Sequence, residues 1–326
     1  MIKVEGIYHK YKVRIGEEEW KSKIKYFLNP RYKYVDALQN INFTIKKGEI
    51  VGYIGPNGSG KSTTIKLLTG LMEPTAGKVV INNENPFKKR MKIAKYTGVL
   101  MGQKTNLWWD LPLFESFKIL KKIYNVETKS NDQWLEYLIS LLNIDYLKQP
   151  VRQLSLGQRM RAELVATFIN EPKLVYLDEP TLGLDVSTKK NVMDFLIQIN
   201  KDLNTTIMLT THDLHDIEKV CERIILIDQG ILKYDGKTSL FLSEFKCFRS
   251  VLISNQKKNI DLNMPKSFKK VDTRINAVEY IFNSSKYNDE QVKDIVRMID
   301  SEATLIFKEL DLESILKNNL EVLAYD

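Results

Sequence analysis

The feature that most constrains this chain is a glycine-rich loop at residues 55–63, which reads Gly-Pro-Asn-Gly-Ser-Gly-Lys-Ser-Thr. It satisfies the pattern G-x-x-x-x-G-K-[S/T]. An apolar run at residues 50–54 precedes the loop, and residues 64–69 have the apolar spacing of a helix that ends at Gly70. The sequence therefore predicts a strand, a glycine-rich loop and a helix in direct succession.

Such a loop brings consecutive backbone N–H groups and the positive end of a helix dipole into one concavity, which suits the phosphates of a nucleotide. Lys61 would supply charge to the outer phosphates, and Ser62 would offer its hydroxyl to Mg²⁺. A glycine-rich turn that binds nothing is the alternative. The predicted ATP-binding residues of the loop are Gly55, Pro56, Asn57, Gly58, Ser59, Gly60, Lys61, Ser62 and Thr63.

Length and composition indicate a globular protein. A chain of 326 residues with 43% hydrophobic residues can form one large domain and one smaller domain. No apolar run is long enough to span a bilayer, and the N-terminus lacks the apolar segment of a signal peptide, so we expect a cytosolic protein. Cys221 and Cys247 have no metal-binding spacing, so we expect neither a disulfide nor zinc.

The formal charge of +8 is concentrated in part at residues 86–104, which contain basic residues and no acidic residue. A solvated surface explains such a run, and contact with acidic lipid headgroups or an acidic partner is the alternative. No RNA-recognition or helix-turn-helix motif accompanies it, so we expect no nucleic-acid partner.

The first 240 residues combine a sheet with an inserted helical subdomain. Residues 174–177 and 206–210 are apolar throughout, as strands buried in a parallel sheet are. The apolar stripes between residues 113 and 170 have helical spacing, which predicts a helical subdomain at about residues 104–170. The charged segment at residues 16–31 has the composition of a surface insertion. We predict an α/β domain over residues 1–240.

Residues 241–326 show a new pattern and predict a small α+β domain. The predicted strands are residues 250–254, 277–282 and 304–307. The predicted helices are residues 289–299 and 312–318.

Two carboxylates, Asp178 and Glu179, follow the buried strand at residues 174–177. Asp178 suits the water shell of Mg²⁺ in a phosphate-loop ATPase, and Glu179 is then placed to act as general base or to orient the attacking water. The alternative is that both residues only add charge at the end of a strand. A wholly apolar strand is an unusual place for that.

Ser155 begins a predicted helix, and Gln158 three residues later completes a capping box. This local explanation is sufficient by itself. Beside a phosphate loop and an acidic pair, however, a serine and a glycine at a helix N-terminus also form a second anion site that could meet a γ-phosphate.

These segments resemble the ATP-binding subunits of ABC transporters over roughly residues 1–240. The matching motifs, in order, are the phosphate loop, Gln103, residues 154–158, residues 177–181, residues 183–185 and residues 211–213. The resemblance implies a P-loop ABC ATPase core, in which a mixed sheet with a RecA-like parallel part carries an inserted helical subdomain. It implies ATP and Mg²⁺ as cofactors.

The resemblance also implies individual roles. Gln103 and His212 join Glu179 as catalytic residues, with Gln103 sensing Mg²⁺ and water and His212 contacting the γ-phosphate. Ser62, Gln103 and Asp178 would hold the metal, Asp178 through water. The residues that contact ATP bound to the opposite subunit would be Ser155, Gly157, Gln158 and Asp185.

Two positions leave questions about the resemblance. Leu156 stands where the family commonly has glycine; a leucine narrows the backbone freedom there but keeps the N–H, so phosphate binding in trans is still expected. An aromatic residue should stack on adenine. Tyr11 matches the usual place if residues 16–31 are an insertion, Tyr34 is its rival, and a third possibility is that neither stacks.

Residues 102–112 and the tail at residues 309–316 resemble the type-2, multidrug-like class of ABC exporters. The pair Trp108 and Trp109 either packs in the core or lines a cleft that accepts a short helix of a membrane partner.

The predicted function is therefore an ATPase subunit that dimerises head to tail with a second copy or a homologous subunit. It would power a separate membrane permease from the inner face of the cell membrane. The alternative is a soluble ABC ATPase that acts as a nucleotide-gated clamp. Two features argue against the soluble clamp. The chain has a single phosphate loop, and only about 117 residues separate Lys61 from Asp178. A third alternative is a purely regulatory module. Such a module would need an impaired catalytic site, and the sequence lacks none of the expected catalytic residues.

Overall fold

The computed structural model describes residues 1–14, 32–102, 104–211, 213–245, 247–254, 264–265, 267–274, 276–310 and 314. The strands are β1 (Ile2–Arg14), β2 (Tyr32–Ile45), β3 (Ile50–Ile54), β4 (Ala76–Ile81), β5 (Thr97–Met101), β6 (Leu174–Asp178), β7 (Thr206–Thr210), β8 (Arg223–Asp228), β9 (Ile231–Lys237), β10 (Phe248–Ser254), β11 (Lys269–Arg274), β12 (Ala277–Asn283) and β13 (Thr304–Glu309). The helices are α1 (Lys61–Leu68), α2 (Arg90–Ala94), α3 (Leu113–Tyr124), α4 (Lys129–Leu141), α5 (Leu156–Phe168), α6 (Val186–Leu203), α7 (Leu214–Val220), α8 (Thr238–Phe245) and α9 (Asp289–Ile299).

A six-stranded sheet in the order β5-β6-β7-β3-β8-β9 forms the centre of the first unit. In this order, each of the five strands β5, β6, β7, β3 and β8 runs parallel to its neighbours among them. The apolar side chains of β6 and β7 are buried, as their composition predicts. The carboxyl ends of β3, β6 and β7 therefore meet at one edge of the sheet, where Asp178 is in register with Thr210.

A second sheet covers the phosphate-loop strand. Strands β2, β1 and β4 pair antiparallel in that order. Their inner side chains share one core with β3 and α1, in which Leu38, Phe43, Tyr53 and Ile65 are all buried. Because both β3 and the helix α1 pack in this core, both ends of the loop that joins them are held in place.

Helices α3, α4 and α5 occupy the stretch in which the sequence predicts a helical subdomain. Two side chains of α4 tie it to the end of α5. The Asn131 amide donates to the carbonyl oxygen of Ile169 at 2.7 Å, and the Trp134 indole donates to that of Phe168 at 2.9 Å. Within the described residues, no helix combines the length and hydrophobicity needed to cross a membrane.

The chain divides into two units, residues 1–211 with 215–236 and residues 212–214 with 237–326. The second unit contains an antiparallel sheet in the order β11-β12-β10-β13, and Val292 and Val296 of α9 are part of its core. It is α+β, as predicted, and α9 spans the predicted residues 289–299. Most of the helix predicted at residues 312–318 lies outside the described residues. The boundary at residue 240 stays a prediction.

Candidate nucleotide-binding site

The phosphate loop leads into a helix whose first turn has no side-chain cap. Helix α1 begins at Lys61 after Gly60, which has a φ of +109°, and its first turn contains no acidic residue. The first amides of a helix have no partner within it. Because no side chain satisfies them here, they are suited to a phosphate.

Glycine is required in this loop by close backbone contacts. A Cβ atom at Gly60 would lie 2.8 Å from the carbonyl oxygen of Ala37, and one at Gly55 would lie 2.0 Å from that of Ile227. The positive φ of Gly60 adds backbone strain for any other residue. The loop therefore keeps its shape only with these glycines.

Two buried polar groups of the loop are suited to an anion. Lys61 is only 7% exposed, and its ammonium donates to the carbonyl oxygens of Gly55 at 2.7 Å and Pro56 at 2.9 Å. Burial lowers the pKa of Lys61, while Glu179 and Asp178 oppose that shift. The buried hydroxyl of Ser59 has no hydrogen-bond partner among the described residues. An unpaired buried hydroxyl costs free energy, and a phosphate oxygen would pair the hydroxyl of Ser59.

The predicted metal ligands Ser62 and Asp178 lie together. The Ser62 hydroxyl donates to Asp178 Oδ2 at 3.3 Å, and the Thr210 hydroxyl donates to Asp178 Oδ1 at 2.6 Å. No cluster of three or more His, Cys, Asp or Glu side chains that could hold a metal occurs in the described part of the chain. One hydroxyl and one carboxylate fit Mg²⁺, which keeps several waters and takes substrate phosphates as ligands.

Glu179 has an unusual backbone conformation. Its φ is +54°, and its amide donates to the carbonyl oxygen of Thr210 at 3.1 Å. A non-glycine residue held in this region costs about 1–3 kcal/mol, and such residues concentrate at functional sites. Glu179 also lines a cleft of about 540 Å³, together with Thr105, Trp109 and Glu163.

The residues predicted to reach a partner's ATP form a second cluster. Ser155 caps α5 by accepting from the Gln158 amide at 3.2 Å, and the Gln158 side chain accepts from the Ser155 amide at 2.9 Å. A Cβ atom at Gly157 would lie 3.3 Å from the Thr188 methyl group. Thr188 in turn donates its amide and its hydroxyl to Asp185, which caps α6. These hydrogen bonds lower the pKa of Asp185.

Leu156, at the position where the family commonly has glycine, lies against the same cluster. It is 44% exposed, and its Cδ2 is 3.1 Å from the place that a Cβ atom would take at Gly183. Gly183 has a φ of +74°. A side chain at position 183 would therefore crowd the tip of Leu156.

The two candidate adenine-stacking tyrosines lie on opposite faces of the ribbon that β1 and β2 form. Tyr11 pairs with Val35, which places Tyr34 on the other face because successive side chains of a strand alternate. The Tyr11 hydroxyl is 3.1 Å from the Thr63 hydroxyl, and Tyr34 is 62% exposed. This geometry favours Tyr11, whose role stays a prediction.

Two predicted catalytic residues, Gln103 and His212, lie outside the described residues. The residue before Gln103 is close to the acidic pair, since a Cβ atom at Gly102 would lie 3.0 Å from the Asp178 carbonyl oxygen. Trp108 and Trp109 are 37% and 47% exposed, so core packing does not explain them. Trp109 lies beneath the guanidinium of Arg159 and lines the cleft.

Sequence analysis missed Thr210, Thr188 and Glu163. Thr210 and Thr188 contact predicted site residues through ordinary hydroxyls, which carry no sequence signal of their own. Glu163 does carry one, because it is an acidic residue followed by the apolar residues 164–166 of a buried helix face.

Comparison with known proteins gives a family match for residues 38–182, described as ABC transporter. The methionine import ATP-binding protein MetN 2 of Enterococcus faecalis is 34% identical over 208 residues, which are 62% of this chain and 60% of that protein. The ABC transporter ATP-binding protein NatA of Bacillus subtilis is 28% identical over 214 residues, which are 65% of this chain and 87% of that protein. The chain thus spans about 60% of the length of the methionine import proteins that it matches.

Solved structures show a similar fold. The ATP-binding cassette MJ0796, in a dimeric post-hydrolysis state bound to ADP and Pi, is 27% identical, with a TM-score of 0.61 over 73% of this chain and 99% of that chain. For cbiO1 of Clostridium perfringens, part of the ABC transporter complex cbiONQ, the identity is 24% and the TM-score is 0.59 over 74% of this chain and 90% of that chain.

These likenesses confirm the predicted ABC ATPase core. They do not support the predicted exporter class, because the relatives include importers.

Proposed function

We propose that this chain is the ATP-hydrolysing subunit of an ABC transporter, a proposal that the family match to ABC transporter over residues 38–182 supports. It would associate with a separate membrane permease at the inner face of the cell membrane. Residues 1–240 would bind and hydrolyse ATP, and residues 241–326 would form an accessory domain. Limited proteolysis that releases a stable fragment ending near residue 240 would support this division.

One observation carries the proposal, namely that Lys61, Ser62, Asp178 and Glu179 converge at one edge of the sheet. Lys61 would leave its carbonyl partners to bind the outer phosphates. Ser62 would hold Mg²⁺ directly and Asp178 would hold it through water, and the bound ion would neutralise charge on the phosphates. Glu179 would accept the proton of the attacking water. Gln103 and His212 would complete this group.

The second half of the site would come from another copy of the chain or from a homologous subunit in a head-to-tail dimer. Ser155 accepts a hydrogen bond in its cap and keeps its own O–H to donate. This O–H would donate to a phosphate oxygen of the ATP that is bound to the partner subunit. Gly157, Gln158 and Asp185 lie on the same cluster and would contribute to the contact.

For the direction of transport we propose export, supported by the resemblance of residues 102–112 to exporter ATPases and by the exposed Trp108 and Trp109 on that segment. Import is the second candidate, because relatives at 32–34% identity are described as methionine import proteins. Uptake of labelled methionine by cells with and without this chain decides between import of methionine and the export proposal.

Purification of the tagged chain from native membranes tests the transporter assignment. We expect a polytopic membrane protein at a fixed ratio to the chain, and ATP hydrolysis that rises steeply with protein concentration. A chain found only in the soluble fraction would contradict the proposal and favour the nucleotide-gated clamp. Full activity in a strictly monomeric sample would contradict the shared site.

A further inference from the structure

A buried carboxylate connects α5 to the segment that follows Gln103. Glu163 is 5% exposed and lies about two turns along the helix from Ser155. One of its oxygens accepts from the Thr105 hydroxyl, and the other accepts from the Asn106 amide at 3.0 Å. Burial raises the pKa of Glu163, which these hydrogen bonds oppose.

The segment held by Glu163 is also tied to the central sheet. The Asn106 side chain donates to the carbonyl oxygen of Val99 in β5 at 3.2 Å. The Leu107 amide donates to the Thr105 hydroxyl at 3.0 Å. Residues 104–107 therefore connect the carboxyl end of β5, beside Asp178, to the helix that Ser155 caps.

We propose that Glu163 is a positioning residue that makes the loop after Gln103 and helix α5 move as one body. A displacement of this loop when nucleotide binds would then carry Ser155 toward the ATP of the partner. The inference rests on the proposed function, because the position of Ser155 matters only if a second copy provides the ATP.

The chemistry of Glu163 suits this role. Two donors that are adjacent in sequence need two acceptor oxygens, which a carboxylate provides and a glutamine provides only in part. Hydrogen bonds to a charged acceptor in a buried setting are stronger than neutral ones. Arg159, one turn earlier on α5, also interacts favourably with the carboxylate. Simple helix stability does not require an acid at this buried position.

The test uses the full chain with Glu179→Gln, in which ATP-bound dimers should accumulate because hydrolysis is blocked. Glu163→Ala, Glu163→Gln and the control Asn131→Ala are compared in this background. Asn131 is also buried in the helical subdomain, but its side-chain amide donates to the backbone oxygen of Ile169 and not to residues 104–107. Light scattering measures the protein concentration at half-dimerisation with ATP, and a fluorescent ATP analogue measures nucleotide affinity below that concentration.

We expect Glu163→Ala to raise the half-dimerisation concentration by about 10-fold or more, since buried hydrogen bonds to a charged group are lost. Nucleotide affinity should stay within about 2-fold, because the phosphate loop is intact. Asn131→Ala should lower the melting temperature comparably and leave dimerisation unchanged, and Glu163→Gln should recover part of the loss.

Three outcomes would overturn the inference. Dimerisation of Glu163→Ala equal to that of the parent, or equal impairment by Asn131→Ala, would reduce Glu163 to a purely structural residue. If the parent with intact Glu163 binds ATP but forms no dimer at any concentration, the proposed function fails and this inference fails with it.

Discussion

The N-termini of α1 and α5, which we propose as two anion sites, are constructed in opposite ways. Helix α1 follows Gly60 and has no side-chain cap, and buried Lys61 and Ser59 lie beside it. Helix α5 is capped reciprocally by Ser155 and Gln158 at the surface. The α1 site needs a ligand to satisfy its donors, whereas the α5 site is satisfied within its own chain. This difference supports the proposal that the first site holds phosphates and that the second contacts phosphates bound to a partner.

The largest effect should come from the chemical step at the α1 site. Glu179→Gln removes the base but keeps the size of the side chain, so kcat should fall by about 10²- to 10⁴-fold while ATP still binds. Steady-state phosphate release and equilibrium nucleotide binding measure the two effects. The matched control Glu136→Gln, on the exposed face of α4, should behave as wild type. Near-normal turnover of Glu179→Gln would remove Glu179 from the role of base.

The next effect tests the charge that the α1 site holds. Lys61→Ala removes a buried cation that phosphates would bind, so ATP affinity should fall by about 10- to 100-fold. Lys66→Ala, at the other end of the same helix, changes the net charge equally and should leave affinity nearly unchanged. Equal losses in both variants would mean that the general positive field of the chain, and not the loop, attracts the nucleotide.

The third prediction compares two helix N-caps of the same type, Ser155 of α5 and Asn288 of α9. Ser155→Ala should destabilise the first unit by about 1 kcal/mol, as loss of a helix cap does, and should also lower ATPase activity because the O–H donor is lost. Asn288 caps α9 of the second unit with Gln291 in the same reciprocal way. Asn288→Ala should cost similar stability without affecting ATPase activity. Thermal unfolding and activity at matched folded fraction separate the two effects.

Local patterns in the sequence predicted much of the first unit and of its site. The all-apolar run at residues 174–177 became the buried strand β6, and Ser155 with Gln158 formed the expected capping box. Each of these signals lies within a few neighbouring residues. The first helix begins at Lys61, earlier than the apolar spacing from residue 64 indicates, because its first turn faces the loop.

Other features could not be predicted because they depend on pairs that are distant in sequence. Strand β11 is rich in charged residues and lacks a strand pattern, and it forms through pairing with β12. The Thr210 hydroxyl of β7 donates to Asp178 of the neighbouring strand β6, and Glu163 of α5 accepts from Thr105 in the segment after β5. Propensity does not encode such contacts, since tertiary pairing determines them.

The smallest effect concerns pH and the buried carboxylate of Glu163. Its pKa is raised in the folded chain, so between the unfolded value of 4.5 and the raised value the folded state binds more protons than the unfolded state. Stability contributed by this group is therefore present at low pH and is lost as pH rises through that window. Glu163→Gln does not titrate, so its stability relative to wild type should increase with pH there. Urea unfolding of both proteins at several pH values measures the difference, and parallel pH profiles would show that Glu163 titrates normally.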